Sequence, residues 1–141
     1  MTLSDVVVVI GLSLPMKARI LVVDDDYDSA FAISVMLNEH GYSTERYTDP
    51  YLALSSFCKG KYDLVLLDAR MPGLDGFTLF ESIHRIDPRV RPCFLTASYE
   101  RGYEDMRNRL PDLSSHCFLR KPVTLSNLTA TVDSILSQEV I

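Results

Sequence analysis

Short apolar runs alternate with helical patterns along most of the chain, and this alternation limits the possible folds more than any other feature. Residues 20–23 form a continuous apolar run, rich in β-branched side chains, that ends at Asp24, as a buried strand would. Similar runs predict strands at residues 42–47, 62–67, 93–96 and 116–119. Periodic apolar positions predict helices near residues 29–40, 50–59, 77–86, 99–109 and 125–136. This alternation predicts one α/β domain, with parallel βαβ units and helices on both faces of a single sheet.

Local signals place several helix boundaries. Asp49 followed by Pro50 is an N-cap with proline at the first helical position, and Gly60 marks the end of that helix. Asp26 is interpreted as a start signal for the first helix rather than as a metal ligand. Gly102 weakens the polar fourth helix, which suits either a mobile or a merely solvated face.

Composition excludes several classes of protein. With 141 residues and 47% hydrophobic content, the chain can form a core without disulfides or a structural metal. The net charge of -5, from 14 basic and 19 acidic residues, argues against direct binding to a nucleic-acid backbone. Three widely spaced cysteines form no CxxC pair, and we predict that they are small buried side chains in a reducing cytoplasm.

Residues 1–15 are an apolar leader that the rest of the predicted domain does not need. Their longest apolar run, from Val6 to Leu14, is shorter than the roughly 20 residues of a membrane span and lacks the features of a secretory signal. The leader is either an extension that packs on the domain or a partner, or sequence upstream of a natural start at Met16, which we favour. The expected domain is therefore 16–141.

Five polar side chains follow the predicted strands. Asp24 and Asp25 follow the first strand, Asp68 the third, Thr96 the fourth and Lys121 the fifth. In a parallel sheet the carboxyl ends of the strands meet at one edge, where functional sites form. Any one of these aspartates alone would be an ordinary turn residue. Three together repel one another unless a hard cation such as Mg²⁺ lies among them.

These residue types suit phosphoryl transfer to a carboxylate. A carboxylate beside a metal ion can act as a nucleophile and form an aspartyl phosphate. The developing negative charge then needs a cation and a hydroxyl donor, which Lys121 and Thr96 supply.

Four segments at these strand ends carry a resemblance to a known family. They are residues 20–26 (ILVVDDD), 66–76 (LLDARMPGLDG), 95–98 (LTAS) and 118–122 (FLRKP). Together and in this order they resemble the receiver domain of two-component response regulators, over residues 17–137. The resemblance implies a flavodoxin-like, doubly wound sheet of five parallel strands in the order 2-1-3-4-5, with five helices.

The resemblance also implies a role for each site residue. Asp68 matches the phosphoacceptor. The Mg²⁺ ligands, with Mn²⁺ as a substitute, would be Asp25 directly, Asp24 through water, Asp68 and the backbone carbonyl of Arg70. Thr96 and Lys121 match the hydroxyl and ammonium that meet the phosphoryl group. The matched aromatic switch residue is Phe118, and the Lys121–Pro122 peptide bond is expected to be cis.

Partners and activity follow from the same resemblance. The phosphoryl donor would be a histidine kinase or a histidine phosphotransfer protein, and a downstream protein would read the switched surface. The only catalysis expected is that of the domain's own phosphorylation and dephosphorylation. Because 20 residues follow Lys121, we expect a stand-alone cytoplasmic receiver, similar to the chemotaxis regulators, without a membrane span.

Two other functions compete with this interpretation. A small Mg²⁺-dependent phosphohydrolase of the haloacid-dehalogenase type would use Asp24 as its nucleophile in a D-x-D motif with Asp26. The residue at Asp28 and the sequence after Lys121 do not match that family. A degenerate receiver that acts only as a binding module is the second alternative, and the intact acidic pocket argues against it.

Overall fold

The computed structural model describes residues 18–113 and 117–138, and it contains five strands and five helices in strict alternation. The strands are β1 (Arg19–Val23), β2 (Ser43–Tyr47), β3 (Leu64–Asp68), β4 (Arg91–Thr96) and β5 (Phe118–Arg120). The helices are α1 (Tyr27–Glu39), α2 (Pro50–Ser55), α3 (Gly76–Ile86), α4 (Tyr99–Arg109) and α5 (Leu125–Ser137). The leader at residues 1–15 and the predicted strand residue His116 lie outside the described residues.

All five strands are parallel and lie in the order β2-β1-β3-β4-β5, which confirms the predicted fold class. Every residue of the central strand β3 is buried, whereas β2 at the edge is mostly exposed. Since β1 and β3 are neighbours but not consecutive in the chain, the strand order reverses direction between them. A crevice at the carboxyl edge of the sheet is expected at such a point.

Two apolar layers cover the sheet, one on each face. Helices α1 and α5 contribute Ala30, Ile33, Leu37, Leu128, Val132 and Ile135 to one layer. Helices α2, α3 and α4 contribute Ala53, Phe77, Leu79, Phe80, Ile83 and Met106 to the other. Helices therefore lie on both faces, as the alternation of elements predicts. Within the described part of the chain, no helix is both long enough and apolar enough to cross a membrane.

The signals at helix ends act largely as predicted. The Asp26 carboxylate caps α1 by accepting a hydrogen bond from the N–H of Asp28, and Asp49 caps α2 in the same way. Helix α2 ends at Ser55 instead of continuing to Gly60, because the chain turns there and Phe57 packs on the ring of Tyr62.

The cysteine prediction is wrong at one of three positions. Cys93 in β4 and Cys117 just before β5 are buried, as small apolar side chains would be. Cys58 is exposed, because α2 has ended before it and the following turn lies on the surface.

Candidate functional site

The ends of β1, β3 and β5 bring two aspartates and a lysine together. Asp24 directly follows β1, Asp68 is the last residue of β3, and Lys121 directly follows β5. Because the strands are parallel, these three positions share one edge of the sheet although they lie far apart in sequence. The residues meet as the sequence predicts.

The Lys121 ammonium bridges the two buried carboxylates. Its Nζ lies 2.7 Å from Oδ2 of Asp24 and 3.0 Å from Oδ2 of Asp68. Asp24 is completely buried, and Asp68 is 8% exposed. Backbone amides bind the other two carboxylate oxygens: the N–H of Asp26 donates to Asp24 Oδ1 and the N–H of Arg70 donates to Asp68 Oδ1. Every oxygen of the pair thus accepts a hydrogen bond, and the Ser29 side chain adds another at Asp24.

The three charged groups perturb one another's pKa values in different directions. Burial, the largest influence, raises the pKa of Asp68 to about 6, although hydrogen bonds from Arg70 N–H and Lys121 oppose it. Burial also acts to raise the pKa of Asp24, but hydrogen bonds from Lys121 and Asp26 N–H outweigh it, and that pKa is lowered. Burial opposes ionisation of Lys121, yet the two carboxylates hold its pKa above the ordinary value. Of the two buried carboxylates, Asp68 is therefore the one whose negative charge is less stabilised.

The donor set fits a divalent cation. Carboxylate oxygens of Asp24, Asp25 and Asp68 lie within 4.8 Å of one another. Three carboxylates against the single ammonium of Lys121 leave two negative charges uncompensated. Carboxylate oxygens are the ligands that Mg²⁺ prefers, so the charge and the ligand type both suit this ion. The exposed Asp25 lies on the solvent side of the cluster.

Thr96 stands at the same edge of the sheet, but its hydroxyl is engaged within its own loop. The Oγ1 atom donates to the carbonyl of Ser98 at 2.8 Å and accepts from the N–H of Ser98 at 3.2 Å. Thr96 ends β4 and is 3% exposed, so the hydroxyl has little freedom without breaking these two bonds.

Phe118 is buried in a cluster of aromatic rings beside Thr96. Its ring centroid lies 5.6 Å from that of Phe94, 6.1 Å from Phe77 and 6.3 Å from Tyr99. Tyr99 is 42% exposed, and its ring stacks on that of Tyr103 at 6.1 Å. A continuous series of rings therefore connects the buried Phe118 with the surface of α4. The Lys121–Pro122 peptide bond is cis, as expected from the resemblance.

Gly76 has a role that its sequence context does not indicate. A Cβ atom at this position would lie 2.3 Å from the carbonyl oxygen of Asp68 and 3.0 Å from its carbonyl carbon. The start of α3 therefore rests directly on the backbone that carries the Asp68 carboxylate. No local sequence pattern shows this role, since contacts between an element's backbone and a distant strand leave none.

Comparison with known proteins gives a consistent result. The family model described as the response regulator receiver domain matches residues 20–133. Sporulation initiation phosphotransferase F of Bacillus subtilis is 31% identical over 121 residues, which cover 86% of this chain and 95% of that protein. The transcriptional regulatory protein RprY of Bacteroides fragilis is 32% identical over 120 residues, which cover 85% of this chain and 50% of that protein. The chain spans about half the length of several other such regulators.

Solved structures agree with the sequence relatives. The non-phosphorylated HemR receiver domain from Leptospira biflexa superposes with a TM-score of 0.75 and 26% identity. The superposition covers 89% of this chain and 98% of that domain.

Proposed function

Since the chain belongs to the response regulator receiver domain family, we propose that Asp68 accepts a phosphoryl group and that Thr96 and Phe118 transmit the new charge to the surface. The family consists of phosphoacceptor signalling domains, and the comparisons do not favour the phosphohydrolase alternative. The observation that carries the proposal is the bridging ammonium. Lys121 neutralises Asp68 only by sharing its charge with Asp24, which leaves a buried carboxylate of raised pKa at the edge of the sheet.

Asp68 is suited to act as the nucleophile in this reaction. One of its carboxylate oxygens attacks the phosphorus, a new O–P bond forms, and the bond from phosphorus to the donor breaks. A donor imidazole of a histidine kinase or phosphotransfer protein would leave as the neutral ring after protonation. The N–H of Arg70 holds the other oxygen of Asp68, which keeps the carboxylate plane fixed during the attack.

Lys121 and Thr96 would stabilise the product. The ammonium already lies 3.0 Å from Asp68 Oδ2 and can stay paired with the phosphoryl oxygens once they are attached. The Thr96 hydroxyl would have to leave Ser98 to donate to the same group. That exchange of hydrogen bonds is the step that links the chemistry to α4.

Mg²⁺ is the cofactor that we assign to the acidic cluster, with Asp24, Asp25, Asp68 and the carbonyl of Arg70 as the proposed ligands; Mn²⁺ would substitute for it. When bound, the ion supplies positive charge that offsets the repulsion between the carboxylates and an incoming phosphoryl group.

Three further parts of the proposal concern partners, catalysis and location. A downstream protein would bind the switched surface, the domain would catalyse only its own phosphorylation and dephosphorylation, and the protein would act in the cytoplasm. Free thiols at Cys58 and Cys93 suit such a reducing compartment.

Mass spectrometry with a small phosphodonor tests the proposal. Acetyl phosphate and Mg²⁺ should add one phosphoryl group to the wild-type protein, and chelation of the metal should prevent the addition. Asp68→Asn should take up none. Asp87→Asn is the matched control, since Asp87 is an equally buried aspartate away from the acidic cluster, and it should be phosphorylated like the wild type. Uptake by Asp68→Asn at the wild-type rate would overturn the proposal.

A further inference from the structure

Gly102 lies where helix α4 packs against Thr96 and Phe118. A Cβ atom at this position would lie 2.8 Å from Thr96 Oγ1, 3.1 Å from Thr96 Cβ and 3.0 Å from Phe118 Cε1. Real Cβ atoms essentially never approach another heavy atom more closely than 3.0 Å. Helix α4 therefore packs on this pair at a distance that only glycine permits. The contact is buried, so the glycine does more than weaken a solvated helix.

The hydrogen bonds around Gly102 tie it to the Thr96 hydroxyl. The carbonyl of Ser98 accepts from the N–H of Gly102 at 2.9 Å and from Thr96 Oγ1 at 2.8 Å. Ser98 is the N-cap residue of α4, and its own side chain makes no capping hydrogen bond. The first turn of α4 is thus anchored to the end of β4 through the Thr96 hydroxyl.

The ring on the other side of Gly102 has one open direction in which to move. Phe118 is enclosed by Phe77 and Phe94 on its buried side. On its outer side lies Tyr99, which is partly exposed and stacks on Tyr103. A group inserted at position 102 would push the ring of Phe118 against buried rings or displace Tyr99. Displacement of Tyr99 is easier, because its ring has fewer close-packed neighbours.

We propose that Gly102 is a positioning residue of the switch, where the missing side chain keeps the Thr96 hydroxyl bound to Ser98. A single methyl group at this position would then displace the hydroxyl and move Tyr99 without any phosphorylation. The biological meaning of this inference rests on the proposed function, since it assumes that Thr96 is released when Asp68 is modified. The contact itself is a property of the unmodified protein and can be tested separately.

NMR spectroscopy of Gly102→Ala without any phosphodonor tests the inference. The amide proton of Ser98 should lose its side-chain acceptor, shift upfield and exchange with solvent about tenfold faster or more. The ring resonances of Phe118 and Tyr99 should move towards their positions in wild-type protein saturated with beryllofluoride and Mg²⁺, which mimic the phosphoryl group. If the spectrum of Gly102→Ala differed from that of the wild type only at residues 101–103, the inference would be overturned.

Two further variants separate the contact from effects on helix stability. Asn108→Ala also raises the helix propensity of α4, but at an exposed position, and it should leave the Ser98 amide unchanged. An equal shift in that variant would mean that helix stabilisation, and not the methyl contact, causes the effect. In a Thr96→Ala background the displaced Oγ1 is already missing, so adding Gly102→Ala should change the Ser98 amide little.

The double variant also decides the case in which Gly102→Ala alone does not fold. The shortest contact of the added methyl group is the one to Thr96 Oγ1, at 2.8 Å. Thr96→Ala removes this atom, so the double variant Thr96→Ala with Gly102→Ala should fold. Failure of the double variant to fold as well would contradict the inference. If wild-type Asp68 takes up no phosphoryl group, the proposed function fails, while the Ser98 amide still reports on Gly102.

Discussion

Asp68 and Asp87 are both buried aspartates, but they lie at opposite edges of the sheet and are stabilised in different ways. Asp87 follows α3 at the amino edge and is 4% exposed. Its two carboxylate oxygens accept hydrogen bonds from the N–H groups of Gly60 at 2.9 Å and Arg89 at 3.1 Å. From the described residues Asp68 receives one backbone hydrogen bond, and its second oxygen depends on the ammonium of Lys121.

Under the proposed function, this difference separates the structural carboxylate of Asp87 from the reactive carboxylate of Asp68. Backbone amides cannot move away from Asp87 without disrupting the loops that they belong to, so its bonds are fixed. Lys121 reaches Asp68 on a flexible side chain and divides its charge between two carboxylates. A group held in this way can exchange partners when a phosphoryl group arrives, and similar burial therefore has opposite consequences at the two edges.

Loss of the shared ammonium should have the largest effect. Lys121→Met removes the cation that stabilises the developing charge, and we expect phosphorylation by acetyl phosphate to slow about 100-fold. The initial rate of phosphoryl incorporation, followed by intact-protein mass, measures this. Arg120→Met, at the exposed neighbouring position, is the control and should keep the wild-type rate. If the rate in Lys121→Met fell by less than about threefold, the ammonium would not be needed for phosphorylation. The contacts of Asp68 would then matter no more for the chemistry than those of Asp87.

Asp87→Asn should destabilise the protein without affecting the chemistry. The amide NH₂ would face one of the two backbone N–H donors, leaving a buried donor unpaired at a cost of about 1–3 kcal/mol. Urea unfolding gives the free energy of unfolding, and phosphoryl uptake should remain at the wild-type level. A variant as stable as the wild type would show that these backbone bonds do not hold the amino edge together.

Asp68→Asn should have the opposite effect on stability, in a pH-dependent manner. Since the folded carboxyl has a pKa of about 6 and an unfolded one about 3.9, ionisation favours the unfolded chain as pH rises from 4 to 6. In chelator at pH 7, the variant should therefore be more stable than the wild type by up to about 3 kcal/mol. The difference should disappear below pH 4, where both forms are neutral. Unfolding curves between pH 4 and pH 7 test this, and a variant that is less stable at pH 7 would contradict it.

Asp63→Asn gives the smallest expected effect and isolates the role of burial. Asp63 lies at the same amino edge as Asp87 and accepts a hydrogen bond from the N–H of Arg19 at 2.9 Å, but it is exposed. Water can replace the lost acceptor, so the free energy of unfolding should fall by no more than about 0.5 kcal/mol. A loss as large as that of Asp87→Asn would mean that the hydrogen bonds matter and burial does not.

The fold could be predicted in outline because its central strands are apolar except at their ends. A run such as Leu64–Asp68 has only one polar residue, and that residue stands at its end, so both the strand and the site position are visible in sequence. Helix α2 could not be bounded correctly, since its end depends on Phe57 packing against Tyr62 rather than on the nearby Gly60. The end of a helix that is set by tertiary contacts leaves only a weak pattern in the local sequence.

The site was predictable for the same reason, but its internal contacts were not. Parallel strands bring Asp24, Asp68 and Lys121 to one edge, and the order of strands then follows from the family resemblance. The sequence does not show that Lys121 bridges both aspartates, because the pairs are separated by 97 and 53 residues. The sequence also does not show whether Gly102 merely weakens helix α4 or allows it to pack closely on other residues. The answer depends on which side chains face the missing Cβ atom.

Chemical trapping of the modified aspartate tests the central claim most directly. Wild-type protein phosphorylated with acetyl phosphate and Mg²⁺ is treated with borohydride, which reduces an aspartyl phosphate to homoserine, and peptide mass spectrometry then locates the altered residue. We expect homoserine at position 68 and an unaltered aspartate at positions 24 and 25. Homoserine at position 24 or 25, with Asp68 intact, would contradict the assignment of Asp68 as the phosphoacceptor.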